Sequence, residues 1–181
     1  MKFPTERLIL RSLEIEEAPL LLDYLIRNKD FLAEWEPIRN EDYFTIENIR
    51  TVLQKQTADN EEKKGLHLYL FTKDDNMLFG NINITNIIFG PFQSCFLAYK
   101  LDKDKINRGY ITEGLREVIN ICFNNYLLHR IEANIIPRNI RSIKVVKKLG
   151  FEYEGSSKKY LKINGVWEDH HHYVLLNEKV E

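Results

Sequence analysis

The chain has 181 residues, 44% hydrophobic and 29% charged, with 26 basic and 27 acidic side chains giving a formal net charge of −1. That length and composition suit one domain with a proper core and exclude a disordered chain, and the near-neutral balance argues against wholesale nucleic-acid binding. No apolar run approaches the roughly 18 residues of a membrane helix, no apolar block follows Met1, and Cys95 and Cys122 are too few and too distant for a disulfide framework, so a reducing cytoplasm is expected.

In chain order, Arg7 to Leu13 alternates polar and apolar residues and predicts a half-buried strand. Glu16 to Arg27 predicts a helix, with Pro19 tolerated in the first turn. Phe31 to Pro37 reads as a loop or short helix carrying large apolar groups, and Thr45 to Asn60 as a helix capped by Thr45. Leu66–Thr72 predicts a strand, Lys73 to Asn76 a turn, and Leu78 to Phe89 a longer strand broken by Gly90-Pro91. Ser94–Leu101 predicts another strand. From Leu115 to Tyr126 the apolar positions 115, 118, 119, 122, 123 and 126 keep helical spacing. Arg130 to Ile136 predicts a strand, and Asn139 to Leu149 a helix capped by Asn139 and ended by Gly150. Phe151 to Ile163, an Asn164-Gly165 turn and Val166 to Asn177 complete a hairpin. The sum is one α+β domain on a mixed, largely antiparallel sheet of about six or seven strands, with about four helices.

Two helix starts carry chemistry. Arg108-Gly109-Tyr110-Ile111-Thr112-Glu113 lies between a strand and a helix, where a glycine turn lets free N–H groups and the positive helix end converge on a phosphate. The alternative is a strand-to-helix turn that uses Gly109 for geometry alone. Pro137 to Ser142 opens the second helix, with Asn139 as cap and Ser142 three positions on. Charge segregates as well: residues 14–62 carry thirteen acidic and five basic side chains, and residues 138–162 carry eight basic and two acidic. Solvated faces would explain this, as would a basic side for an anionic cofactor and an acidic side for a cationic substrate. Of His170-His171-His172, only the first and last share a strand face, so ordinary strand histidines are expected and no metal.

End to end, the chain resembles the GNAT acetyltransferases, and within them the ribosomal-protein-alanine N-acetyltransferases of the RimJ and RimL type. The resemblance rests on Thr5 to Arg11, Phe31 to Pro37, Leu97 to Asp102, Gly109 to Gly114, Leu128 to Ala133, Asn139 to Ser142, Lys148 to Phe151 and Asn164 to His170. It implies a GNAT fold and acetyl-CoA as cosubstrate. The pantetheine arm would pair with the strand at Tyr99, Lys100 and Leu101, and the diphosphate would lie on the loop that includes Asn107, Arg108, Gly109, Tyr110, Ile111 and Thr112. Asn139 and Ser142 match the family's Asn-x-x-Ser pair, which implies that Asn139 holds the cofactor's amide. Ser142 would either cap the helix or protonate the leaving thiolate.

The chain departs from the family pattern at Ile106, Asn107 and Ile111 in the loop. It has Phe96 where related enzymes often place a glutamate, and Val146 where some place a tyrosine. Glu132, Asp169, His170 and Tyr160 are left as candidate bases, and Glu34, Glu36, Glu41 and Asp42 as acidic groups suited to an ammonium. The expected acceptor is the N-terminal α-amine of a ribosomal protein, taken up by direct transfer in a ternary complex, because neither cysteine lies in the loop or at the helix starts. Acetylation of a small amine and non-catalytic acyl-CoA binding are the alternatives. No membrane or nucleic-acid partner is expected, and a homodimer is left open.

Overall fold

The computed structural model describes residues 1–74 and 77–180, so Asp75 and Asn76 of the expected turn lie outside the described residues. Eight strands form one sheet in the order β1-β2-β3-β4-β5-β6-β8-β7: β1 Lys2–Pro4, β2 Leu8–Arg11, β3 Leu66–Thr72, β4 Gly80–Ile88, β5 Ser94–Leu101, β6 Arg130–Ile135, β7 Glu152–Ile163 and β8 Val166–Leu176. Every pairing is antiparallel except β5 with β6. Among the described residues, five α-helices accompany it: α1 Ala18–Arg27, α2 Lys29–Ala33, α3 Ile46–Glu61, α4 Tyr110–Asn120 and α5 Ile140–Lys148. These counts are close to those expected from the sequence.

Strand β3 shows why the apolar run 66–72 has no polar face. Leu66, Leu68 and Leu70 join a core shared with Leu115, Val118 and Val146 of α4 and α5, while Tyr69 and Phe71 join a second core with α1 and α3. A strand covered on both faces is mostly apolar, and the buried exception, His67, is satisfied by Asn83, whose Oδ1 lies 2.9 Å from its Nδ1. Strand β6 is covered on one face only. Its Ile131, Ala133 and Ile135 enter the first core, and Arg130, Glu132 and Asn134 point the other way.

The amphipathic segment expected from Leu115 starts earlier, at Tyr110. Tyr110 and Ile111 of its first turn already pack against the first core, ahead of Leu115 and Val118. Residues Ile121–Asn125 widen into a π-type turn, with Tyr126 N–H donating to Ile121 O at 3.1 Å. The C-terminal hairpin turns at Asn164 (φ 44°) and Gly165 (φ 81°), the doubly left-handed pair that a two-residue connection requires. No helix among the described residues is long and apolar enough to cross a membrane.

Candidate active site

The parallel pairing of β5 and β6 runs only from Ser94↔Arg130 to Phe96↔Glu132. Beyond that register the strands part. Leu97 to Leu101 on one side and Ala133 to Ile136 on the other line a cavity of about 500 Å³. On its far side Ala98 to Leu101 remain paired with β4, so β5 is held rigid while its edge toward the cavity stays open. An open strand edge presents unpaired N–H and C=O groups to any extended amide-bearing ligand. The cavity runs through the sheet: Asn107, Gly109 to Thr112, Asn139 and Ser142 line it from the α4–α5 layer, and Phe31, Trp35 and Glu36 from the α1–α2 layer.

The loop that enters α4 presents backbone N–H groups at the positive end of that helix. Asn107 (φ 59°) and Gly109 (φ 76°) are both left-handed, which turns consecutive amides toward one point. No side chain caps the helix; its first backbone bond is Glu113 N–H to Gly109 O at 3.0 Å, and the preceding first-turn N–H groups have no helical acceptor. Two carboxylates fix this loop. Asp102, almost fully buried, accepts from Arg27 Nε (2.8 Å), Asn28 Nδ2 (3.0 Å) and Asp104 N–H (3.0 Å). Glu113 accepts from Thr5 Oγ1 (2.6 Å), Arg7 N–H (2.8 Å) and Arg7 Nε (2.7 Å), while Arg7 Nη1 donates to Arg108 O at 3.1 Å. Desolvation opposes both charges, but the donors outweigh it and hold each carboxyl below its ordinary range. A recess beside Gly109 and Thr112 is lined by Arg7, Arg116 and Lys148 together with Glu6 and Glu113.

At the opposite wall, Asn139 Oδ1 accepts from Ser142 N–H at 3.1 Å and caps α5. The Ser142 hydroxyl lies 2.6 Å from Tyr99 Oη, and Tyr99 Oη is also 3.1 Å from Ser142 O. Burial pushes the Tyr99 phenol up to about 12, with the Ser142 hydrogen bond working the other way, so the phenol keeps its proton at neutral pH. No local pattern signals this pair, because side chains 43 positions apart meet only once α5 is folded against β5.

Tyr99, Lys100, Leu101, Asn107, Gly109, Tyr110, Ile111, Thr112, Asn139 and Ser142 all line the one cavity. Arg108 does not; its side chain is exposed, and its carbonyl serves Arg7. Among the acidic groups, Glu36 lines the cavity with Lys100 Nζ 2.5 Å away. Glu34 instead pairs with Arg138, whose guanidinium also binds Glu168 (2.6 Å) and stacks on Trp35 (4.9 Å), and Glu41 pairs with Lys29. Phe31 and Trp35 face the cavity, whereas Tyr43 packs against the second core.

Of the candidate bases, Glu132 is held by Arg130 (2.8 Å) and His172 (3.1 Å), and Asp169 accepts from Lys159 N–H (2.8 Å) at a bulge in β7. Tyr160 packs beside His170 and His172, and His170 alone of the four reaches the cavity. Phe96 ends the parallel register, and Val146 is fully buried in the core, so neither family position offers a polar group.

Residues 7–152 match the family model described as an acetyltransferase (GNAT) domain. The chain is 39% identical to "Probable N-acetyltransferase YjcK" of Bacillus subtilis, over 92% of each chain. It is 32% identical to the ribosomal protein uS5-alanine N-acetyltransferase of Escherichia coli, over 94% of this chain and 88% of that one. A crystal structure of ribosomal-protein-S5-alanine acetyltransferase from Vibrio fischeri superposes with a TM-score of 0.95 at 32% identity, covering 100% of this chain and 99% of that one.

Proposed function

Because the chain belongs to the GNAT acetyltransferase family and uses acetyl-CoA as its acyl donor, we propose that it acetylates the N-terminal α-amine of a ribosomal protein that begins with alanine. The observation that carries this reading is likeness over nearly the whole chain to an enzyme named for that activity on uS5. The through-going cavity suits it: the cofactor and the acceptor enter from opposite layers and meet where β5 and β6 part.

Bound acetyl-CoA supplies an activated carbonyl and a thiolate leaving group. The chain's own groups do the rest. The open edge of β5 at Tyr99 to Leu101 takes the pantetheine amides, Asn139 assists them, and the amides of residues 107–112 take the diphosphate. Arg7, Arg116 and Lys148 add positive charge beside that loop. The Tyr99–Ser142 hydroxyl pair holds a proton where the sulfur leaves. Transfer is direct: Cys95 and Cys122 are both buried outside the cavity, so no thiol is placed to carry the acyl group. An α-amine, with an ordinary pKa of about 7.7–8.0 against about 10.4 for lysine, is already partly neutral at physiological pH and needs only a weak base.

The test is mass spectrometry of products from acetyl-CoA with peptides copying ribosomal-protein N-termini, run beside a panel of polyamines and amino acids. A single acetyl group on the α-nitrogen of alanyl peptides is the expected result. Turnover of small amines alone would assign the chain to that class instead, and CoA binding without turnover of any acceptor would make it a binding module.

A further inference from the structure

The geometry points to His170 as the general base of the transfer, with Nε2 taking the proton of the attacking amine. The inference stands on acetyl transfer itself and not on which amine is the acceptor.

His170 is only 3% exposed, yet its side chain forms part of the cavity wall. Its Nδ1 lies 3.1 Å from the carbonyl oxygen of Glu168. A carbonyl can only accept, so Nδ1 carries the hydrogen and the lone pair is left on Nε2. The Tyr160 ring packs at 5.4 Å and holds the imidazole in place from β7. The tautomer and the orientation are therefore fixed by backbone and packing, as a base requires.

Glu168, Asp169 and His172 share the strand of His170, Tyr160 faces it from β7, and the Glu36–Lys100 pair shares its cavity. Burial is the largest influence and holds the imidazole below its ordinary value, against the Glu168 and Asp169 contributions, so it is neutral at physiological pH. Glu36, the carboxylate among the cavity-lining residues, is engaged by the Lys100 ammonium at 2.5 Å.

The step balances as follows. A neutral amine forms the C–N bond, and its nitrogen, now cationic and strongly acidic, gives one proton to Nε2. The C–S pair departs with sulfur, which takes a proton from the Tyr99–Ser142 hydroxyls. The imidazolium proton then restores those hydroxyls, and the enzyme is unchanged.

The experiment compares wild type with His170→Asn and Glu36→Gln on whichever acceptor the wild type turns over. The Asn amide can still donate to the Glu168 carbonyl, so the strand keeps its contact; the melting temperature and calorimetric CoA affinity check the fold. For His170→Asn we expect kcat/KM to fall about a hundredfold with CoA affinity unchanged. The wild-type pH profile should have an acidic limb that stays put when the pKa of the acceptor amine is changed, and that limb should vanish in His170→Asn. His170→Ala should regain activity with added imidazole. Retention of the limb in His170→Asn, or its loss in Glu36→Gln instead, overturns the proposal. Failure of alanyl peptides as substrates would refute the acceptor reading while leaving this test intact on a small amine.

Discussion

Ser142 and Gly109 are single residues on which the site turns in different ways. The Ser142 hydroxyl is 2.6 Å from a phenol that stays protonated at neutral pH, so Ser142→Ala should lower kcat about a hundredfold and leave CoA affinity nearly unchanged. Tyr99→Phe should fall by a similar factor, and the double variant by much less than the product, because the two hydroxyls act as one unit. Steady-state kinetics with calorimetry decide it; a pure loss of CoA affinity would make the Ser142 hydroxyl a binding group with no part in the chemistry. Gly109 is left-handed at φ 76°, where a β-branched side chain is strained. Gly109→Val should weaken CoA binding about tenfold or more, since about 1–3 kcal/mol of strain falls on the loop that presents the amides. An unchanged dissociation constant would remove the diphosphate from this loop. Gly109 and the Asn139–Ser142 spacing were visible in the sequence as residue types at helix starts. Their tyrosine partner was not, because nothing local relates position 99 to position 142.

At the scale of elements, Glu113 ties the strand-opening segment Thr5 to Arg7 to the first turn of α4. Its folded pKa is lowered, because donors from Thr5 and Arg7 overcome desolvation. The sign follows: the stabilisation is present above the ordinary carboxylate range and is lost as pH falls through the folded value. Glu113→Gln should therefore cost about 1–2 kcal/mol at pH 7, and the gap to wild type should close in strongly acidic buffer. Urea titrations at the two pH values measure it; a gap independent of pH would contradict the pairing. Asp102 anchors the other end of the loop to the end of α1, and its nearly buried carboxylate holds an arginine and an asparagine. Asp102→Ala should cost about 3 kcal/mol in the same titrations, with weaker CoA binding because the loop loses its anchor. A cost near zero would show that the loop is held elsewhere. Both acids stand inside motifs read for their neighbours, and their partners come from segments about 75 to 108 positions away.

For the whole molecule, the decisive feature is the parting of β5 and β6 and the helical layers that close over it. Under the proposed function it is where the two substrates would meet, with no covalent enzyme intermediate required. Incubation with acetyl-CoA alone should leave the intact mass unchanged, whereas a stable acetyl adduct on Cys95 or Cys122 would overturn direct transfer. Most of the elements after Arg7, the Asn164-Gly165 turn and the Thr45 and Asn139 caps were legible in the sequence, because each depends on side-chain periodicity or on backbone freedom within a few residues; the short strand Lys2–Pro4 was not, since three residues hold no period. Tertiary structure alone decided where the parallel register stops, which of four titratable groups reaches the cavity, and that Glu36 meets Lys100 there. Those outcomes depend on strand divergence, β-bulges and burial, which arise between segments far apart in the chain and leave no local pattern to read.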